Sequence, residues 1–102
     1  MSHLLYFKSE VEEDVFAAYL WYEEKAVGLG EDFLRLVYAQ AAEIARNPLL
    51  YQIVETDFRR CLLKRFPFSI YFRIIDEQVI IFGVFHCARN PNFISEEIDK
   101  RE

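Results

Sequence analysis

The chain has 102 residues, 53% of them hydrophobic and 17% aromatic, which excludes a disordered segment and predicts one folded domain over residues 1–102. Its net charge is −5, and no apolar run approaches the ~20 residues that a membrane-crossing helix needs. The N-terminus lacks a basic start followed by an apolar core, so no secretory leader is expected and the cytoplasm is the default compartment. His3 to Lys8 reads as a first strand, with Leu5 and Phe7 on one side and Leu4 and Tyr6 on the other, a pattern suited to cover on both faces. Ser9 has the chemistry of a helix N-cap, and Glu10, Glu12 and Glu13 suit the positive end of the helix dipole. Val11, Val15, Ala18, Tyr22 and Ala26 recur at three- and four-residue steps and predict a helix over 10–26, stopping near Gly28.

Gly28-Leu29-Gly30 is a tight connector, followed by a second helix over 31–46 with Phe33, Leu34, Val37, Ala41, Ile44 and Ala45 as its apolar face. Pro48 prevents its continuation. Two helices joined by so short a link pack antiparallel. Beyond Pro48 the period changes from 3.6 to 2. Tyr51 to Glu55 reads as a strand or loop edge, and Arg59 to Arg65 as a strand of mixed pattern, with Pro67 at a turn. Phe68, Ile70, Phe72 and Ile74 alternate with Ser69, Tyr71 and Arg73, the pattern of a half-buried strand. Asp76-Glu77-Gln78 is a hairpin turn. Val79 to Phe85 is continuously apolar and predicts a central strand, with Gly83 marking a bulge or a close approach of another chain segment. Phe93 to Glu102 reads as a short helix or a frayed tail.

The order predicts an α+β fold: an N-terminal strand, then an antiparallel helical hairpin on one face of a mostly antiparallel sheet of about four strands. The opposite face is expected to be partly apolar and decorated by basic residues. Cys61 and Cys87 form no C-x-x-C pair and read as two buried, reduced thiols, a disulfide or metal pair being the alternative. No phosphate-binding glycine loop or metal-spaced cluster is present, so neither cofactor nor metal is expected.

Charge is unevenly placed. Residues 1–58 hold four Lys/Arg against eleven Asp/Glu, and residues 90–102 hold two against four. Residues 59–89 hold six against two, a local balance of +4. A basic sheet region in an acidic chain predicts an anionic, macromolecular mate. Arg59, Arg60, Arg65 and Arg73 are its candidate contacts, with Trp21 on the helical hairpin as an exposed apolar one.

Five segments in register resemble the ParE/RelE superfamily of small bacterial toxins, closest to the ParE-like, plasmid-stabilisation side. They are Trp21-Tyr22-Glu23-Glu24-Lys25, Gly28-Leu29-Gly30-Glu31-Asp32-Phe33, Ile44-Ala45-Arg46-Asn47-Pro48, Arg59 through Phe68, and Phe85-His86-Cys87-Ala88-Arg89-Asn90-Pro91. The resemblance implies a toxin neutralised by a cognate antitoxin, with DNA gyrase as target if ParE-like, or the ribosome and its mRNA if RelE-like. RNA cleavage by 2′-OH attack needs a base, an acid and cations around the phosphate. Lys64 and Arg89 fall where RelE-like members carry functional arginines, and His86 has the chemistry of a base. The C-terminal position where RelE-like members carry Tyr or His is held here by Phe93 or Ser95, and Tyr51 and Gln52 replace a basic segment. The resemblance thus implies binding rather than catalysis. The alternatives are an endoribonuclease using Lys64, His86 and Arg89, and a degenerate antitoxin-binding protein without toxicity.

Overall fold

The computed structural model describes residues 3–102. Strand β1 (Leu4–Phe7) leads into helix α1 (Ser9–Lys25) and helix α2 (Leu29–Arg46). A single 3₁₀ turn at Pro48–Leu50 precedes β2 (Gln52–Glu55), β3 (Phe58–Leu62), β4 (Phe68–Ile75) and β5 (Gln78–His86), and helix α3 (Pro91–Arg101) closes the chain. The sheet has five strands in the order β1-β5-β4-β3-β2. β1 runs parallel to β5, and the remaining pairs are antiparallel. No helix among the described residues is long and apolar enough to cross a membrane.

The helical hairpin forms largely as its spacing predicts, with two local differences. Ser9 is already inside α1; Lys8 occupies the cap position in extended backbone, without a side-chain cap bond. The Ser9 hydroxyl donates to Glu10 instead, at 3.3 Å, while the Lys8 N–H is held by the Ile81 carbonyl. α2 also starts two residues earlier than expected, because the Glu23 carboxylate accepts from the N–H groups of Gly28 and Gly30, both at 2.9 Å. One carboxylate thus satisfies two otherwise orphaned donors at the start of α2. Gly28 sits at φ +87°, where a side chain is strained. At Gly30 the constraint is space: a Cβ there would lie 2.6 Å from the Tyr19 carbonyl oxygen.

One face of the sheet packs on the hairpin. Val11, Val15, Val37 and Ile44 from the helices meet Ile70, Phe72, Val79 and Ile81 from β4 and β5. Phe33 packs against both Phe66 and Phe68 at centroid distances of 5.3 and 5.0 Å. β5 lies between β1 and β4, central as its apolar run predicts. The register of β5 shifts between the pairs Phe72–Ile81 and Tyr71–Gly83, leaving Phe82 as the extra residue of a bulge. The shift inverts the side-chain alternation. Ile81 and Val84 therefore both face the hairpin, and Phe82 and Phe85 both face the other side.

That other side is where the fold departs most from expectation. It is a second core, not an open basic surface. Phe58, Tyr71, Phe82 and Phe85 are covered by Ile94 and Ile98 of α3. The C-terminal segment is thus a seated helix rather than a frayed tail. Asn90 caps it, accepting from the Asn92 N–H at 2.8 Å, and Pro91 occupies its first turn. β4 is consequently covered on both faces, not half-buried: Ser69 and Tyr71 are as enclosed as Ile70 and Phe72. β1 behaves in the opposite way. It is an edge strand with Leu4 and Tyr6 exposed, so cover on both its faces does not occur. β3 ends at Leu62, short of Arg65, which takes φ 72° in the turn before Pro67. Of the two free thiols, Cys61 is buried as expected and Cys87 is exposed. Cys87 lies just past the end of β5, where the chain turns toward α3.

Candidate partner-binding surface

The sheet register distributes the basic residues over two faces. Cys61, opposite Ile70, points into the hairpin core, so Arg59, opposite Phe72, shares that face, and Arg60, opposite Tyr71, points to the α3 side. Arg59 is used locally: its guanidinium donates to the Tyr51 carbonyl oxygen at 2.7 Å. Arg65 reaches Asp32 at 3.6 Å from the turn before β4. Arg73 is held internally, between Asp57 at 3.1 Å and Glu102, with its guanidinium 4.3 Å above the Phe58 ring. Among the described residues, Arg60, Lys64 and Arg89 have no carboxylate partner. The expected basic strip is therefore three free cations rather than one continuous patch.

Lys64, His86 and Arg89 do not converge on one cleft. His86 and Arg89 line a groove of about 330 Å³ between α1 and α3, floored by Phe68, Val84 and Phe85. Lys64 lines a separate, open hollow with Tyr51, Gln52 and Arg60, on the side of α2 and β3. His86 packs edge-on against Phe68 at 5.1 Å, and its Nδ1 accepts from the Ala88 N–H at 3.0 Å. An accepting Nδ1 puts the proton of a neutral imidazole on Nε2, where it is a donor. Phe93 fills the space beside Arg89, 4.6 Å from its guanidinium. Arg89 also borders a smaller cleft of about 200 Å³ with Arg60, Tyr71 and Cys87.

Trp21 is exposed on α1 and joins Phe16 and Leu20 in an apolar stripe facing away from the core. Its ring packs against Tyr22 at 5.1 Å and carries the Lys25 ammonium 4.6 Å above it. α1 is thus apolar on two sides, one buried in the hairpin core and one free.

Sequence reasoning missed the ion pair that anchors α3. Arg101, with 7% of its side chain exposed, donates to both carboxylate oxygens of Asp14, at 2.7 and 3.0 Å, and to the Phe82 carbonyl at 2.9 Å. Asp14 also accepts from the Val84 N–H at 3.1 Å. Burial works against the Arg101 charge, but the hydrogen bonds and charge of Asp14, with Glu97 and Glu10 beyond, outweigh it and raise the pKa. Gly83 leaves room for this arrangement: a Cβ there would meet the Phe85 ring at 2.3 Å and Arg101 Nη1 at 3.0 Å. A signal for α3 does exist in the sequence, an Asn-Pro cap followed by Ile94 and Ile98 four residues apart.

Comparison with known proteins agrees with this architecture. The family model described as the ParE toxin of type II toxin-antitoxin system, parDE, matches residues 5–91. Toxin ParE2 of Mycobacterium tuberculosis (strain CDC 1551 / Oshkosh) is 28% identical over 102 residues, covering 99% of this chain and 97% of its own length. The same protein of strain ATCC 25618 / H37Rv matches equally. Among solved structures, a chain of the chromosomal ParDE TA system from P. aeruginosa superposes with a TM-score of 0.69 at 20% identity, over 83% of this chain and 96% of that one. A mutant of the E. coli toxin RelE in the free state superposes at 0.63 with 14% identity, over 98% of each chain. These two structural likenesses are likenesses of fold.

Proposed function

We propose that this chain, which belongs to the ParE toxin family of type II toxin-antitoxin systems, acts in the cytoplasm by gripping a protein target rather than by breaking bonds itself. The target we assign is DNA gyrase, as the family resemblance implies. The observation that supports binding over chemistry is the separation of the candidate catalytic side chains. Lys64 stands in one hollow, while His86 and Arg89 stand in another groove, with the His86 Nδ1 already accepting from the Ala88 N–H. A 2′-OH cleavage needs a base and charge-stabilising cations converging within hydrogen-bond reach of one phosphate.

The neutralising partner is a cognate antitoxin with an acidic, apolar tail. Two features support that chemistry. The apolar stripe of Phe16, Leu20 and Trp21 is unpartnered on the outside of α1. Among the described residues, Arg60, Lys64 and Arg89 form no ion pair. An amphipathic segment answers both needs at once.

A second reading, mRNA cleavage on the ribosome, is favoured by one observation: His86 and Arg89 share a groove. Induced expression with DNA supercoiling and translation followed side by side separates the two. The expected result is loss of negative supercoiling and DNA breaks, with translation failing only later, and rescue by the antitoxin. Immediate translational arrest with intact supercoiling overturns the gyrase reading in favour of the nuclease. Normal growth without antitoxin overturns both and leaves an antitoxin-binding protein that lacks toxicity.

A further inference from the structure

Cys87 is an exposed thiol at the cleft that Arg60, Arg89 and Tyr71 also line, on the side of the sheet opposite the helical hairpin. The thiol is not alone there. Ser69, only 3% exposed, sends its hydroxyl to within 3.5 Å of the Cys87 sulfur. Among the described residues, neither neighbouring guanidinium group has a carboxylate partner. The one acid at the rim, Glu55, is engaged by the Ser95 hydroxyl at 2.7 Å. A nucleophile and two cations thus border one cleft of about 200 Å³, and the Ser69 hydroxyl, itself outside that lining, contacts the nucleophile's sulfur.

We propose that this cleft is a thiol-modification site at which Cys87 takes up a small, carboxylate-bearing disulfide of the glutathione type. The two arginines seat a carboxylate of the reagent and bring its sulfur–sulfur bond against Cys87. Cys87 gives its proton to solvent, and its thiolate attacks one reagent sulfur. The reagent's S–S bond breaks as the new Cys87 S–S bond forms, and the departing thiolate takes a proton from water. Cys87 is oxidised and the released half of the reagent is reduced, so no further oxidant is needed. The Ser69 hydroxyl donates to the sulfur while it is charged. Cys61 provides the internal control: it is 4% exposed, and burial pushes its thiol up to about 11. The inference concerns the cleft itself and is independent of which cellular target the toxin meets.

The test uses the purified chain with oxidised glutathione near neutral pH, followed by intact mass and peptide mapping. One adduct is expected, on Cys87, with Cys61 free and Cys87→Ser unmodified. Replacing Arg60 and Arg89 together by Gln should slow the reaction about tenfold, the scale on which local charge alters encounter. The same pair replaced by Lys should retain most of the rate. With cystamine, a cationic disulfide, the Gln variant should react at least as fast as the wild type. Absence of an adduct, comparable modification of Cys61, or equal slowing with both disulfides overturns the assignment. Circular dichroism confirms that the variants are folded.

Discussion

Replacing Asp14 by Ala tests whether α3 is a fixed part of the fold. The carboxylate accepts two hydrogen bonds from a guanidinium that is 7% exposed and one from the Val84 N–H. Removing it leaves a buried charge whose remaining carboxylate partner is Glu97, at 3.5 Å. Breaking a buried ion pair from one side costs about 3–5 kcal/mol, and an orphaned buried N–H adds roughly 1–3 more. Glu97 and incoming water offset part of this, so a loss of about 3 kcal/mol is expected. That is a large share of the roughly 5–15 kcal/mol by which a domain is stable. Arg101→Met should cost less, because the Asp14 carboxylate retains Val84 and lies nearer solvent. Asp14→Leu combined with Arg101→Met should recover much of the loss, since an apolar pair of similar volume carries no stranded charge. Urea unfolding followed by circular dichroism measures each step of this double-mutant cycle, and amide exchange along 91–101 reports α3 directly. A loss below about 1 kcal/mol for Asp14→Ala, with α3 amides equally protected, would refute the reasoning that this pair anchors the helix.

Three other outcomes follow from the same structure. Burial raises the Cys61 thiol from 9.0 to about 11, so below pH 9 it is protonated in both states and its contribution is complete. Between pH 9 and 11 the unfolded chain alone loses that proton; wild type should lose about 2–3 kcal/mol more than Cys61→Ala, measured by urea unfolding across that range. Tyr22 and Tyr51, also raised chiefly by burial, push the alkaline limb the same way above pH 10. Gly83→Ala should destabilise by about 1–3 kcal/mol and weaken the seating of α3, because its Cβ would lie 2.3 Å from the Phe85 ring; a melting temperature unchanged from wild type would contradict this. Charge reversal at Arg60 and Arg59 together should weaken antitoxin binding or toxicity at low salt without unfolding the domain, with Arg60→Glu carrying most of the effect because Arg59 is tied to Tyr51. Affinity that is unchanged at two salt concentrations would argue against a role for these charges.

The sequence spoke most clearly where one period had one cause. Val37, Ala41 and Ile44 on α2 could bury a single stripe in only one way, and the helix followed. α1 was legible at its buried positions and Trp21 was read as exposed, but only the coordinates show that Phe16 and Leu20 join it in a free stripe. Ser9 misled because capping chemistry is also compatible with an ordinary first-turn position once the preceding N–H is held by Ile81. At β5 the continuous apolar run offered no alternation to read; one bulged residue, Phe82, inverts the faces there, and Gly83 was the visible trace of that event. The second core was illegible for a related reason. Ile94 and Ile98 are two apolar residues in a polar segment, too few to announce a buried face until Phe82 and Phe85 are known to point toward them. Charge was the least legible quantity. A run of six cations in residues 59–89 reads as one patch, but folding assigns Arg73 to Asp57 and Glu102, ties Arg59 to Tyr51, and leaves Arg60, Lys64 and Arg89 without carboxylate partners.

The most direct measurement takes purified components. The chain is added to DNA gyrase with relaxed plasmid, and in parallel to translating ribosomes with a defined message. The account predicts that supercoiling is inhibited, that the antitoxin restores it, and that the message stays intact. Supercoiling that proceeds unhindered while the message is cut at the ribosome would contradict it.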